Sequence, residues 1–228
     1  MEIQHPGIVL RRSEGRGSDL ILKILTKDSG KIAVVARGAR NSKKRFSGGL
    51  DVFDNGVFSI IEARSAGGLA ILGQVERGEI WLNLREQLLC FTLGSLALET
   101  ADIFAREGDS HGSDLFKPLY LCLKNLNQVE SDSKRYVCLI FFLVQLLRIS
   151  GYDLLSEVSD ENSIEARWFK EMLERRVAFV PESKELIRDG LVLLVETVQG
   201  IDGWELRTGE EVLSRLQKFT ATSPQEGK

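Results

Sequence analysis

Between Arg37 and Arg45, five of nine side chains are cations: Arg37, Arg40, Lys43, Lys44 and Arg45. No carboxylate lies between Lys31 and Leu50. Like charges at this density repel one another unless an anion compensates them, and guanidinium and ammonium groups are strong donors to phosphate oxygens. Phe46 follows Arg45 directly, and an exposed aromatic beside cations is what a base-stacking platform needs. Gly38, Gly48 and Gly49 punctuate the segment and would let the backbone approach a ligand closely. Arg11, Arg12, Lys23 and Lys31 on neighbouring segments can extend the basic surface, although one face of those segments must point inward. The chemistry these residues suit is contact with the phosphates of a nucleic acid, which positions it without reading its sequence. A solvated charged loop is the plainer reading of the same residues, and spacing does not distinguish DNA from RNA.

Other reactive chemistry is sparse. The two histidines, His5 and His111, lie in no nucleophile or metal motif and are expected on the solvated surface. There is no phosphate-binding loop of the glycine-lysine-serine/threonine type. Gly15 and Gly17 match too little of a dinucleotide fingerprint, and no helix follows them. The carboxylate-rich "SEVSDEN" (156–162) reads as a solvated loop rather than a cation site. Cys90, Cys122 and Cys138 fall in apolar helical patterns without metal-ligand spacing, where a free cysteine acts as a small hydrophobe. No catalytic constellation assembles from these residues, so neither an enzyme nor a cofactor is expected, and a reducing cytoplasm suits the thiols.

The charge is divided unevenly. The chain of 228 residues has a net charge of −3, yet its first 50 residues hold eleven Lys and Arg against four Asp and Glu, a local +7 that leaves −10 for the rest. Such asymmetry assigns the polyanion to one part of the chain and other partners to the remainder. The longest apolar run, "YVCLIFFLV" (136–144), is soon closed by Arg148. A membrane span needs roughly 20 apolar residues, so this run is expected to be a buried helix and no membrane partner follows. The N-terminus shows no basic, apolar and small-residue pattern of a secretory signal.

These side chains must be carried by two kinds of element. Short Val- and Ile-rich runs at 7–14, 19–27, 31–38, 56–63 and 69–78 are separated by glycine-bearing turns, and 19–38 reads as a hairpin. Five strands in about 80 residues fit a small Greek-key barrel of the OB type. From Trp81 the period lengthens: Leu89, Leu93, Leu96, Thr100 and Ile103 mark one helical face, and Leu115, Leu119, Cys122 and Leu126 another. Pro118 places the start of the second near itself. Residues 134–149 are apolar almost all round and should form the central helix, ended by Gly151. Helices follow near 163–176, 183–197 and 209–219, the last opening on Thr208 and Glu211 at capping-box spacing. The fold class is therefore α+β, with an N-terminal five-stranded OB-fold barrel (1–80) for nucleic acid and an all-helical C-terminal domain (81–228) for protein partners and packing.

The residues also carry a resemblance. The stretch from "GIVLRRSE" through "ILTKDSGKIAVVARGARNSKKRFSGGL" resembles the N-terminal domain of the bacterial recombination and repair mediator RecO. The matching features are an "IVL" strand at 8–10, a turn at 17–19, a Thr26-to-Gly38 hairpin continued by Ala39 and Arg40, and a basic loop from Lys44 to Leu50. Their glycines and basic residues recur together over about 50 residues. "FFLVQLLRISGYDL" (141–154) is similar to the family's central-helix signature and "SDLFKPLYLCLKNL" (113–126) to the helix preceding it, and the likeness thins beyond residue 155.

The resemblance implies a non-enzymatic protein that binds single- and double-stranded DNA. It would anneal complementary strands coated with single-strand-binding protein and help load RecA together with RecR. Under it, Arg37, Arg40, Lys43, Lys44 and Arg45 contact phosphates, with Arg11 and Lys31 beside them and Phe46 stacking. The acidic tail of single-strand-binding protein would sit in an apolar groove rimmed by Arg106, Lys117 and Lys124. Many family members hold zinc on four cysteines after the Gly-Tyr pair. No cysteine follows Cys138 here, so no zinc is expected, and Trp168, Phe169 and Leu173 must hold that region by packing. An RNA-binding OB-fold protein of translation or RNA processing, and a protein-only adaptor, are the competing functional readings.

Overall fold

The computed structural model describes residues 1–42, 44–46, 49–62, 68–108, 110–157, 163–175, 180–201 and 203–221. Five strands, β1 (Glu2–Glu14), β2 (Leu20–Thr26), β3 (Gly30–Ala36), β4 (Asn55–Ile61) and β5 (Ala70–Arg77), close a barrel in the order β1-β2-β3-β5-β4. All neighbours are antiparallel except β3 and β5, which run parallel through Val34↔Ala70 and Val35↔Ile71. The expected OB barrel is thus present. Its interior follows the period of two that strands impose: Leu20, Leu22 and Ile24, then Val34 and Ala36, then Phe58 and Ile60 converge with Phe46 and Leu50.

Closure depends on the length of β1. Its first half pairs with β4, from Glu2↔Ile61 to Ile8↔Asn55, and its second with β2, from Gly7↔Thr26 to Glu14↔Leu20. The register shifts between Val9 and Arg11, and such a bulge bends the strand from one neighbour toward the other. The apolar run predicts a start at residue 7, whereas β1 begins at Glu2. His5 pairs opposite Phe58 and is only 8% exposed, so it is an interior strand residue and not a solvated one. Across the same ladder Gly56 has φ 147°, and a Cβ there would lie 2.1 Å from the Glu76 carbonyl oxygen. No L side chain fits that crossing.

Seven helices are described: α1 (Asn83–Glu86), α2 (Leu88–Phe104), α3 (Phe116–Gln128), α4 (Asp132–Ile149), α5 (Ile164–Arg175), α6 (Lys184–Gly200) and α7 (Gly209–Ala221). The chain forms two compact units: Met1–Leu82 with Ala101–Leu121, and Asn83–Thr100 with Cys122–Lys228. Residues 101–121 therefore belong with the barrel, although their helical pattern alone groups them with the second half. The reason is side-chain contact. Lys31 of β3 bonds Asp102 at 2.8 Å, and the buried Trp81 ring lies 5.5 Å from Tyr120.

In the second unit α4 is buried nearly all round, from Tyr136 to Leu147, and it contacts α5 and α6. Its end is set by Gly151 at φ 82°, where the N–H groups of Gly151 and Tyr152 bond the carbonyls of Arg148 and Leu147. That pair of bonds is a Schellman motif, which uses a left-handed residue to satisfy the last carbonyls. Trp168, Phe169 and Met172 are buried, whereas Leu173, expected among them, is half-buried. Among the described residues no helix is long and apolar enough to cross a membrane.

The capping box expected at α7 does not form. Glu99 of α2 takes its place, accepting the N–H of Arg207 (2.8 Å), the N–H of Thr208 (3.0 Å) and the Thr208 hydroxyl (2.6 Å). Glu211 pairs with Arg215 instead. A carboxylate at a helix N-terminus satisfies orphan N–H groups and opposes the helix dipole. Glu99→Ala is expected to cost about 1–2 kcal/mol in urea unfolding, and Glu211→Ala under about 0.5 kcal/mol. The reverse ranking would restore the capping box.

Candidate nucleic-acid interface

The basic segment is tied to the turn between β1 and β2. The N–H of Gly38 donates to Asp19 Oδ1 at 2.7 Å, and the N–H of Arg40 donates to the Ser18 carbonyl at 3.0 Å. The Arg40 guanidinium donates to the Gly17 carbonyl and lies 3.3 Å from Glu14. Arg40 thus braces the turn. Farther along, Arg45 Nη2 donates to the Arg37 carbonyl at 2.8 Å, and its guanidinium lies 5.2 Å from the centre of the Phe46 ring. The Arg37 side chain is exposed.

Two clefts result. The larger, about 690 Å³, lies on the outside of the barrel. Its floor is set by register: Ile21 pairs with Val35, Val35 with Ile71, and all three have the parity opposite to the interior residues Leu20, Leu22 and Leu72. Arg16 from the β1–β2 turn and Arg37 after β3 rim this apolar floor, with Leu69 from the β4–β5 connection. Asp19 and Glu62 line it too, but Asp19 Oδ1 accepts from Gly38 and Glu62 lies 3.8 Å from the N-terminal ammonium. The face of strands 2 and 3 between these two loops is where OB-folds hold oligonucleotides. The smaller cleft, about 260 Å³, is lined by Lys44, Arg45, Phe46, Leu50, Val75 and Arg77. Val75 packs against the barrel interior and Arg77 shares its parity, so this cleft opens at an end of the barrel.

The residues singled out from sequence separate accordingly. Arg37 reaches the large cleft, Lys44 and Arg45 the small one, and Arg11 is exposed on β1. Lys43 lies outside the described residues. Phe46 is not an exposed stacking platform: it is 2% exposed and belongs to the barrel core. Lys31 is not on an exposed basic surface either. Its Nζ lies 2.8 Å from Asp102 Oδ1 with its side chain 7% exposed, and Lys23 lies 3.4 Å from the same oxygen. Arg12 faces Asp51 at 3.8 Å. Arg106 and Lys117 are exposed in the barrel unit and Lys124 half-buried in the helical unit, and none of the three lines either cleft. Sequence reasoning missed Arg16, Arg77 and the row Ile21, Val35 and Ile71. The signal for Ile21 and Val35 was available, since alternate residues of the β2–β3 hairpin face outward once Leu20, Leu22, Val34 and Ala36 face the core.

Residues 1–79 match the family described as "Recombination protein O N terminal", the span that forms the barrel. The barrel is a RecO N-terminal domain, and the chain is similar to proteins of the RecO family. Proteins named DNA repair protein RecO from Desulfatibacillum aliphaticivorans and Alkaliphilus metalliredigens (strain QYMF) are each 31% identical to it, over 144 and 151 residues. The aligned parts are 63% and 66% of this chain, and 55% and 59% of those relatives. The RecO of Bacillus pumilus (strain SAFR-032) is 32% identical over 159 residues, 69% of this chain and 58% of its own. The chain thus spans a little over half the length of the RecO proteins it matches.

The four-thiolate zinc site implied by that resemblance does not fit the residues present. Cys138 is the last cysteine in the chain. Cys90 and Cys122 are buried and Cys138 half-buried. Burial pushes the Cys122 thiol well up and that of Cys138 to about 11, so both remain protonated side chains of the helical core.

Proposed function

We propose that the barrel binds single- and double-stranded DNA through phosphate contacts, and that the protein acts in DNA repair and recombination. In this role it anneals complementary strands coated with single-strand-binding protein and helps load RecA with RecR, the helical unit receiving the protein partners and no covalent step being catalysed. The observation that carries the reading is the outer cleft, where Arg16 and Arg37 stand over the apolar floor of Ile21, Val35 and Ile71. Cations hold the backbone there while the floor accepts bases, a combination that suits any sequence. The names of the RecO relatives support DNA repair as its setting.

The test is annealing of two complementary oligonucleotides, each coated with single-strand-binding protein, with and without this protein. Acceleration that declines as salt rises supports the mediator role. The Arg16→Glu/Arg37→Glu variant is expected to bind single-stranded DNA roughly a hundredfold more weakly, from two charge-assisted hydrogen bonds of about 1.5 kcal/mol each. Its slope of log K against log salt should shrink by about 1.4. Native affinity in that variant would remove the cleft from the account. Preference for RNA over DNA of equal length would favour an RNA-binding role.

A further inference from the structure

The small cleft at the barrel end is a different kind of site from the outer one. Three cations from two separate segments, Lys44, Arg45 and Arg77, converge on one hollow of about 260 Å³. Two of them are placed before any ligand arrives. Arg45 is held by the Arg37 carbonyl and the Phe46 ring, and Arg77 by Asp54 at 3.1 Å and the Gly49 carbonyl. Lys44 is exposed beside them. The floor, Phe46, Leu50 and Val75, is barrel core or packed against it, so the hollow has a fixed depth.

Charge decides what fits. Among the described residues, three cations against the Asp54 carboxylate leave two positive charges. A phosphodiester carries one negative charge, whereas a phosphomonoester carries about 1.5 to 2 at neutral pH, with three acceptor oxygens. On a nucleic acid that group occurs only at a strand end. The hollow also adjoins the outer cleft through one residue: Arg45 bonds the carbonyl of Arg37, whose side chain lines that cleft.

We propose that Lys44, Arg45 and Arg77 form a pocket for a phosphomonoester, the terminal phosphate of a strand whose body lies in the outer cleft. The placement of the strand rests on the DNA-binding reading above; the pocket itself does not.

The experiment compares three fluorescent oligonucleotides of one sequence, with a 5′-phosphate, a 3′-phosphate or hydroxyl ends only, titrated with the full chain. A phosphate-ended strand is expected to bind roughly tenfold tighter than the hydroxyl-ended one, and the preferred end identifies its polarity. Lys44→Glu, a change at an exposed side chain, should bring that ratio close to one. Arg16→Glu/Arg37→Glu should weaken all three oligonucleotides and preserve the ratio. Equal affinity of the unaltered chain for all three overturns the pocket and leaves the DNA-binding reading standing. If none of the three binds, the DNA-binding reading fails, and inorganic phosphate decides the pocket by amide shifts in NMR. Saturable shifts at Lys44 and Arg45 that vanish in Lys44→Glu support it as a site for free phosphate, and no shifts overturn it.

Discussion

Replacing Phe46 by alanine is expected to destabilise the barrel by about 3–5 kcal/mol, the usual cost of emptying a phenylalanine site in a core. The ring is 2% exposed and packs in the cluster that holds Leu22, Val34, Phe58 and Leu72. Little in the surroundings can collapse into the void, because those neighbours come from strands whose register is fixed on both sides. Phe46→Leu keeps most of the volume and should cost less than about 1.5 kcal/mol. Denaturant unfolding measures both. The two variants also separate a structural from a stacking role. If Phe46 is core, the affinity of Phe46→Leu for hydroxyl-ended single-stranded DNA follows its folded fraction alone. A stacked base would instead lose about 1–3 kcal/mol of binding when the ring is removed, with stability near native. That outcome would return Phe46 to the surface.

Phe46 also shows where the sequence is legible and where it is not. The barrel could be read because much of its information is local: alternating apolar residues and glycine turns recur every few positions, and three of its five strand pairings, β1 with β2, β2 with β3 and β4 with β5, join neighbours in sequence. The helical run 134–149 could be read from its length, since a nearly all-apolar run too long for a strand is a buried helix. The segment after β3 has no period. An aromatic at the end of a charge run looks exposed by its neighbours, and only the closed barrel shows that an open end needs Phe46 and Leu50 to fill it. The capping of α7 failed in a similar way. Thr208 and Glu211 have the correct spacing, but Glu99, 109 positions from Thr208, occupies the same donors. Local rules name the groups that need partners. They do not name a partner supplied by another part of the chain.

The largest consequence of a distant partner concerns Asp102. Asp102→Ala is expected to cost about 3–5 kcal/mol, because breaking a buried ion pair leaves the other charge uncompensated. Lys31 is the charge at issue: its Nζ bonds Asp102 Oδ1 at 2.8 Å and the Asp102 carbonyl at 2.5 Å. With a side chain 7% exposed, its ammonium has little access to water once the carboxylate is gone. Lys23, at 32% exposure, can turn to solvent and should contribute little. Replacing both members with apolar residues, as in Lys31→Met/Asp102→Leu, should recover most of the loss, since such a pair is seldom better than good packing. Chemical denaturation of the single and double variants measures the coupling. The same variants bear on function. Read from sequence, Lys23 and Lys31 extend the cationic surface of the first 50 residues, but in the fold one carboxylate from residue 102 faces both. The double variant should therefore keep its affinity for single-stranded DNA and its salt slope. A fall in that slope of about 0.7, one phosphate contact, would show that Lys31 leaves Asp102 for the nucleic acid. Constancy would confine the DNA-facing charge of the barrel to the side chains around its two clefts, a smaller positive surface than the count of lysines and arginines suggests.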